Sequence, residues 1–323
     1  MREKQEKQRY VDVLSDSGFK ALFGDQENKP VLIDFLNAVL PKGRRVKDLT
    51  YTTTEFEGLT PNNKAARLDL RCEDEDGTSF IIEMQKYDHD NFFKRCVSYG
   101  AKVYDLKTIK GNRDYDISPV YVIGILGVEY FDRSDDHWRD NFISDYTFRE
   151  KSTAEVICET ISLIFVELKR FDKALEDCKD IIDKWCYALK HMSKLDSLPI
   201  ELQNRIFRKL FKAAEIAQFN PDKRTQYEQE MMTERDELNI RHTAERKLRE
   251  ALEAAETARI KGHKDGLKEG RKQGRKEGRE EGKAEGREEA KIEMARNMMA
   301  NGLPISDILK YTGLTEEKVL SLP

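Results

Sequence analysis

The chain has 323 residues, 37% of them charged and 38% hydrophobic, and a formal net charge of −4. That length allows one sizeable domain with appendages or two domains, and the charge balance excludes a globally basic binder, so attraction to nucleic acid has to come from local patches. No run of about 18 apolar residues is present to span a membrane, and the opening MREKQEKQRY lacks the apolar core of a signal peptide.

Residues 1–9 read as a charged lead-in. Ser15 or Asp16 is placed to cap a short helix carrying Phe19, Leu22 and Phe23. The spacing of Val31, Leu32, Phe35, Leu36 and Val39 predicts a helix over 29–40, ended by Pro41-Lys42-Gly43. Leu49 to Phe56, rich in Thr and Tyr, reads as a strand.

The stretch 64–99 is the one around which the chain is organised. Asp76-Gly77 signals a hairpin, because glycine tolerates positive φ. Its strands are read as Ala66 to Glu73 and Ser79 to Lys86. Side chains alternate along a strand, so Leu68, Leu70 and Cys72 share one face and Asp69 and Arg71 the other. In the second strand Phe80, Ile82 and Met84 share a face, with Glu83 and Gln85 opposite. Asp69 and Glu83 each stand seven residues from Asp76, so a hairpin centred there brings the two carboxylates together. Like charges side by side disfavour each other, and a divalent cation would compensate. The plainer alternative is a solvent-facing sheet face on which the pair meets Arg71 and Arg67.

Asn91 to Lys107 reads as a helix with Phe92, Cys96, Tyr99, Val103 and Leu106 on one face. Arg95 and Tyr99, four apart, share a helix face. Val120 to Val128 is a continuous apolar run, as expected of a strand buried on both sides. Residues 129–150 read as a loop with a short strand, Val156 to Leu168 as a further strand, and Phe171 to Phe219 as helical. The order predicts an α/β core with a mixed sheet, succeeded by a helical subdomain. The five cysteines, Cys72, Cys96, Cys158, Cys178 and Cys186, show no CxxC pairing and suit a reduced cytoplasmic protein with buried thiols. His89, His137, His191, His242 and His263 are scattered without zinc spacing. Neither a P-loop nor a GxSxG motif occurs.

Beyond Pro221 the apolar content falls. Residues 222–260 read as a charged helix with a thin stripe of Leu238, Leu248, Leu252 and Ala255. Then glycine recurs every fourth residue from Gly262 to Gly286, preceded mostly by acidic and followed mostly by basic residues. In a helix each glycine costs about 1 kcal/mol relative to alanine. The tail is therefore either a solvated linker or a helix held by a second copy. Residues 288–323 regain helical periodicity with turns at Asn301-Gly302 and Thr312-Gly313, laid out like a small helix-turn-helix. Its presumed second helix carries only Lys310 as a base, which leaves a packing module and a DNA reader both open.

Asp69 followed by Glu83-Met84-Gln85 resembles the PD-(D/E)XK nuclease signature, with Gln where the usual Lys stands. The stretch Asp16 to Gly24, then Leu68-Asp69-Leu70-Arg71-Cys72, Ile82-Glu83-Met84-Gln85 and Arg95-x-x-x-Tyr99 together resemble one branch of it, the bacterial recombination-promoting nuclease and transposase family. The likeness covers roughly residues 10–250, and the glycine repeat is similar to that family's tails. It implies an α/β, restriction-endonuclease-like core over 10–172 with a mixed central sheet. A helical subdomain over 173–221, a charged and glycine-repeat helix over 222–290 and a small helical unit over 291–323 would complete the chain.

The resemblance further implies a Mg²⁺-dependent deoxyribonuclease. Asp69 and Glu83 would be metal ligands, Gln85 the third catalytic residue, and Arg95 and Tyr99 the phosphate-contacting or supporting pair. Asp16 is a weaker third ligand, with a helix cap as its alternative reading and Glu55 and Glu57 as substitutes. Arg95 could equally be the partner of a catalytic carboxylate. Lys86 points to the other strand face and does not replace the missing lysine. DNA and a second copy of the chain, joined through the tail, are the expected partners. The competing class is an inactive nuclease fold serving as a binding or scaffolding protein.

Overall fold

The computed structural model describes residues 8–56, 66–108, 117–131 and 141–322. The chain divides into two units between Asp236 and Glu237.

The first unit is built on a mixed sheet of six strands. In chain order the strands are β1 (Thr50–Tyr51), β2 (Glu55–Phe56), β3 (Ala66–Arg67), β4 (Leu70–Glu73), β5 (Ser79–Gln85), β6 (Val120–Leu126), β7 (Ile143–Tyr146) and β8 (Ile161–Glu167). The sheet order is β1-β4-β5-β6-β8-β7, and β2 and β3 form a separate two-stranded ribbon. β5, β6 and β8 run parallel, and their neighbours β4 and β7 run antiparallel to them. Every residue of β6 is buried, as the apolar run predicts.

The two sheet faces have separate cores. On one lie α1 (Asp16–Phe23), α2 (Lys29–Val39), α4 (Ile181–His191) and α5 (Arg205–Ala214), which pack Phe19, Phe23, Phe35, Trp185 and Phe207 against Phe80, Ile82, Tyr121 and Ile123. On the other lies α3 (Phe92–Leu106), whose Phe92, Cys96 and Val103 meet Ile81, Val122 and Phe165. Gly124 makes that seat possible, because a Cβ there would stand 2.6 Å from Phe165 and 3.1 Å from Phe92. Full burial of side chains this size contributes about 1.5–3 kcal/mol each.

The hairpin forms where the sequence places it. Gly77 has φ +76°, and the register pairs Leu70 with Ile82 and Glu73 with Ser79, symmetric about Asp76. Several boundaries differ from expectation. The first hairpin strand is not continuous from Ala66 to Glu73, because it breaks at Leu68 and Asp69, where β3 leaves to pair with β2. That break turns Leu68 onto the α3 face, away from Leu70 and Cys72. It also splits the strand expected over 49–56 into β1 and β2. The strand expected from Val156 begins only at Ile161, and Ile157 is 85% exposed. Leu106, at the end of α3, faces solvent. All five cysteines are free, and four are buried, but Cys158, in the irregular run before β8, is exposed. Glu57 and His137 lie outside the described residues.

The next helix, α6 (Pro221–Ala300), is 80 residues long. Its first turns belong to the first unit, which runs past the boundary expected near 221. Tyr227 is buried and its hydroxyl accepts from the Asp12 N–H at 2.9 Å. In the second unit the glycine repeat is helical and exposed, with no atom within 4 Å of where any of those seven Cβ atoms would be. α7 (Ile305–Thr312) and α8 (Glu316–Leu320) close a small core of Ala295, Ile308, Leu314 and Val319. Gly313, with φ +67°, ends α7. No helix among the described residues is long and apolar enough to cross a membrane.

Candidate active site

The site is assembled at the open end of the β4–β5 hairpin. The ladder stops at Leu70 opposite Ile82; one step further, Asp69 would face Glu83. At that step side chains replace the ladder. The Asp69 N–H donates to Glu83 Oε1 at 3.2 Å, and Asp69 Oδ2 accepts from the Met84 N–H at 2.8 Å. Each carboxylate is thus anchored by the other strand's backbone, with the two acids side by side.

Glu83 is only 2% exposed. Burial, and then the charge of Asp69, push its carboxyl up to about 8. Asp69 is also raised, chiefly by burial, against the lowering effect of the Met84 N–H. Arg71 pairs with Glu73 at 2.8 Å and Arg67 with Glu55 at 3.8 Å. Neither arginine serves the acidic pair, so the solvent-facing ion-paired sheet face is not what forms.

Gln85 lies on the same strand face. Its Oε1 accepts from Arg95 Nη2 at 3.1 Å, and its Nε2 donates to the Tyr87 carbonyl at 2.8 Å. Arg95, on the first turn of α3, also brings Nη2 to 3.9 Å from Glu83 Oε2. Its guanidinium carbon is 5.2 Å from the Phe92 ring centre and 6.0 Å from that of Tyr99. Arg95 Nε is buried without a hydrogen-bond partner.

A family model described as "PD-(D/E)XK nuclease family transposase" matches residues 13–244. The chain belongs to this family. A second, described as "Rpn/YhgA-like nuclease family, C-terminal HTH domain", matches residues 288–322. No curated protein and no solved structure matches the chain. The mixed sheet with helices on both faces is consistent with the PD-(D/E)XK fold.

Against the nuclease family's signature, the fold brings Asp69, Glu83, Gln85 and Arg95 together, with Tyr99 one turn behind Arg95. Asp16 does not join them. Ser15 caps α1 by accepting from the Gly18 N–H, and Asp16 pairs with Lys20 at 2.7 Å. Its charge is felt at Asp69 but it makes no direct contact there. Among the described residues no three His, Cys, Asp or Glu side chains gather to hold a metal. Glu55, held by Arg67 and exposed, is no substitute.

Three residues of α6 escape a sequence reading. Glu230 accepts from the Asp16 and Ser17 N–H groups, the latter at 2.9 Å, and so stabilises the positive end of α1. Glu234 accepts from the Tyr87 hydroxyl and pairs with Lys86, whose Nζ also lies 2.7 Å from Asp12 Oδ2. Tyr227 holds Asp12. Tyr87 in turn carries the carbonyl that orients Gln85. The nuclease family match, which runs to 244, includes all three. Only the spacing of Glu230 and Glu234, four apart on a helix otherwise full of charge, stood in the sequence as a signal.

Proposed function

We propose that this protein is a divalent-metal-dependent DNA endonuclease that hydrolyses phosphodiester bonds and acts in recombination, in the cytoplasm. Asp69, Glu83 and Gln85 are its catalytic set, and Arg95 and Tyr99 support it. The observation that carries the reading is the Asp69–Glu83 pair, with Glu83 buried and Asp69 half-buried at the edge of a cleft. Folding alone gives no reason to bury two carboxylates together, since each loses hydration and repels the other. A hard cation answers both costs.

The donor set fits Mg²⁺, which keeps several waters and is often held by one or two carboxylates with substrate phosphates completing the shell. Asp69 and Glu83 would hold it. When bound, the ion supplies Lewis-acid polarisation of the scissile phosphate and a lowered pKa for a bound water. The remaining roles fall to the chain. Gln85 brings no charge, and both ends of its amide are used to hold Arg95 and the Tyr87 carbonyl. Arg95 therefore supplies the fixed positive charge that a lysine at position 85 would otherwise bring. Its half-buried guanidinium has N–H groups beyond the Nη2 it gives to Gln85, which leaves donor capacity for a phosphate oxygen. Tyr99 and Phe92 keep the guanidinium in place.

DNA is the proposed substrate, in line with the helix-turn-helix match. A second copy of the chain is the proposed partner of the tail. Seven exposed glycines weaken an isolated helix by about 1 kcal/mol each, which favours a helix held by its like.

The uncharged Gln85 is the one observation that favours the other class, an inactive scaffold on the same fold. Nicking of supercoiled plasmid with Mg²⁺ separates the two. Wild type is expected to nick, and Asp69→Ala and Glu83→Gln to fall to background while remaining folded. Equal nicking by Glu83→Gln at millimolar Mg²⁺ excludes the metal assignment. Metal binding without any nicking by the wild type supports the scaffold.

A further inference from the structure

α5 turns a wholly basic face outward. Its sequence, RIFRKLFKAA, contains no acidic side chain, and Phe207, Leu210, Phe211 and Ala214 are buried. Arg205, Arg208, Lys209 and Lys212 therefore share the opposite side at helical spacing. Among the described residues their side chains have no ion-pair or hydrogen-bond partner. Other cations near the site are already compensated: Lys20 by Asp16, Lys223 by Asp25, and Lys86 by Asp12 and Glu234. In a chain of net charge −4 this face is uncompensated positive charge.

A groove connects its Lys209 and Lys212 to Asp69. One cleft, of about 510 Å³, is lined by Asp69, by Ser17 and Lys20 of α1, and by Phe219 and Lys223. A second, of about 400 Å³, is lined by Lys209 and Lys212 and shares Ala21, Asp25, Phe219 and Lys223 with the first. Ser17 Oγ, in the lining near Asp69, is buried and has no hydrogen-bond partner. Arg205 to Lys212 covers about 10 Å of helix at 1.5 Å per residue. That matches about three phosphates along one strand at 3.4 Å each.

We infer that this groove carries the phosphodiester backbone of the DNA strand leading away from the scissile bond. Lys209 and Lys212, with Arg205 and Arg208 beside them on α5, face its phosphates. The inference rests on the nuclease reading and gives it a substrate path. It also places the electrostatic attraction on α5, since residues 288–322 carry six acidic and four basic side chains.

The test uses the full-length chain with Arg208, Lys209 and Lys212 replaced by Gln, and a control with Lys42, Arg45 and Lys47 of the exposed α2–β1 loop replaced by Gln. Binding to a labelled duplex is followed by anisotropy over a range of salt without Mg²⁺, and cleavage is followed with Mg²⁺. The α5 variant is expected to bind at least about 10-fold more weakly, with the slope of log K against log salt reduced by about two to three, at roughly 0.9 per lost contact. KM should rise and kcat stay. An unchanged slope in the folded α5 variant, or an equal reduction in the loop control, overturns the inference. Because binding is read without metal, this outcome is separate from the nuclease reading, which fails if the wild type does not nick or if Glu83→Gln still cleaves.

Discussion

The main-chain N–H of Asp69 donates to the carboxylate of Glu83 at 3.2 Å, while the carboxylate of Asp69 accepts from the residue after Glu83. The two acids are crosslinked through backbone, so neither can swing away to relieve the repulsion between them. The pair is thus a strained, pre-organised site, and its cost should be measurable.

That cost sets a pH dependence for the metal-free protein. Glu83 is raised from 4.5 to about 8, so between those values the folded state holds a proton that the unfolded state has released. Stability therefore falls as pH rises through this window and is fully present below it. Thermal unfolding in chelator is expected to show a lower Tm at pH 8 than at pH 5.5. Glu83→Gln should flatten the profile and Mg²⁺ should restore the wild type at pH 8. A wild-type profile as flat as that of the variant contradicts the buried repulsive pair.

Position 85 gives a second prediction. From sequence, Gln85→Lys restores the broader superfamily's residue and should keep some activity. The geometry reverses that expectation, because the ammonium would meet the Arg95 guanidinium that Gln85 Oε1 now accepts from. Gln85→Lys alone is expected to lose at least about 10-fold in kcat, or ~1.4 kcal/mol, and Gln85→Lys with Arg95→Gln to recover part of it. Additive losses in the double variant would show that the two positions do not share one charge.

The start of α6 gives a third. Apolar periodicity ends near Pro221, and truncation there looks harmless from sequence. It would remove Tyr227, Glu230 and Glu234, and with them contacts to Asp12, Ser17, Lys86 and Tyr87. At about 1 kcal/mol net per hydrogen bond, more where a charge takes part, the loss is several kcal/mol. A chain ending after Asp236 should unfold cooperatively near the full-length Tm, and one ending after Pro221 should melt far lower. Matching melting curves would remove the structural role of these turns.

The tail gives a fourth. If the glycine repeat joins two copies by facing acidic and basic rows, the full chain should self-associate and dissociate as salt screens the rows. The chain ending after Asp236 should be smaller in assembly and biased toward nicking over double-strand cutting. Light scattering of both forms at low and high salt checks this. The same subunit number for both at every salt concentration leaves the repeat as a linker.

Local pattern was enough for much of this molecule. Strict alternation around a glycine turn determined the β4–β5 hairpin, its register about Asp76 and the approach of Asp69 to Glu83, because those depend on neighbours in sequence. The apolar run determined β6, and helical spacing determined α2, α3 and α4. Other features depended instead on which distant segments meet. Nothing local told that the strand would break at Leu68, since the break exists only because β3 finds β2. Nothing told that Gln85 would be spent on Arg95, a contact made by a helix crossing the sheet. Asp16 could be a metal ligand by sequence, and only the placing of α1 leaves it paired with Lys20 rather than beside Glu83. The carboxylates of Glu230 and Glu234 look like any others on a solvated helix, and only the packing of α6 against the start of the chain gives them partners. Charge at short range is decided by distance, and distance between remote residues belongs to the tertiary structure.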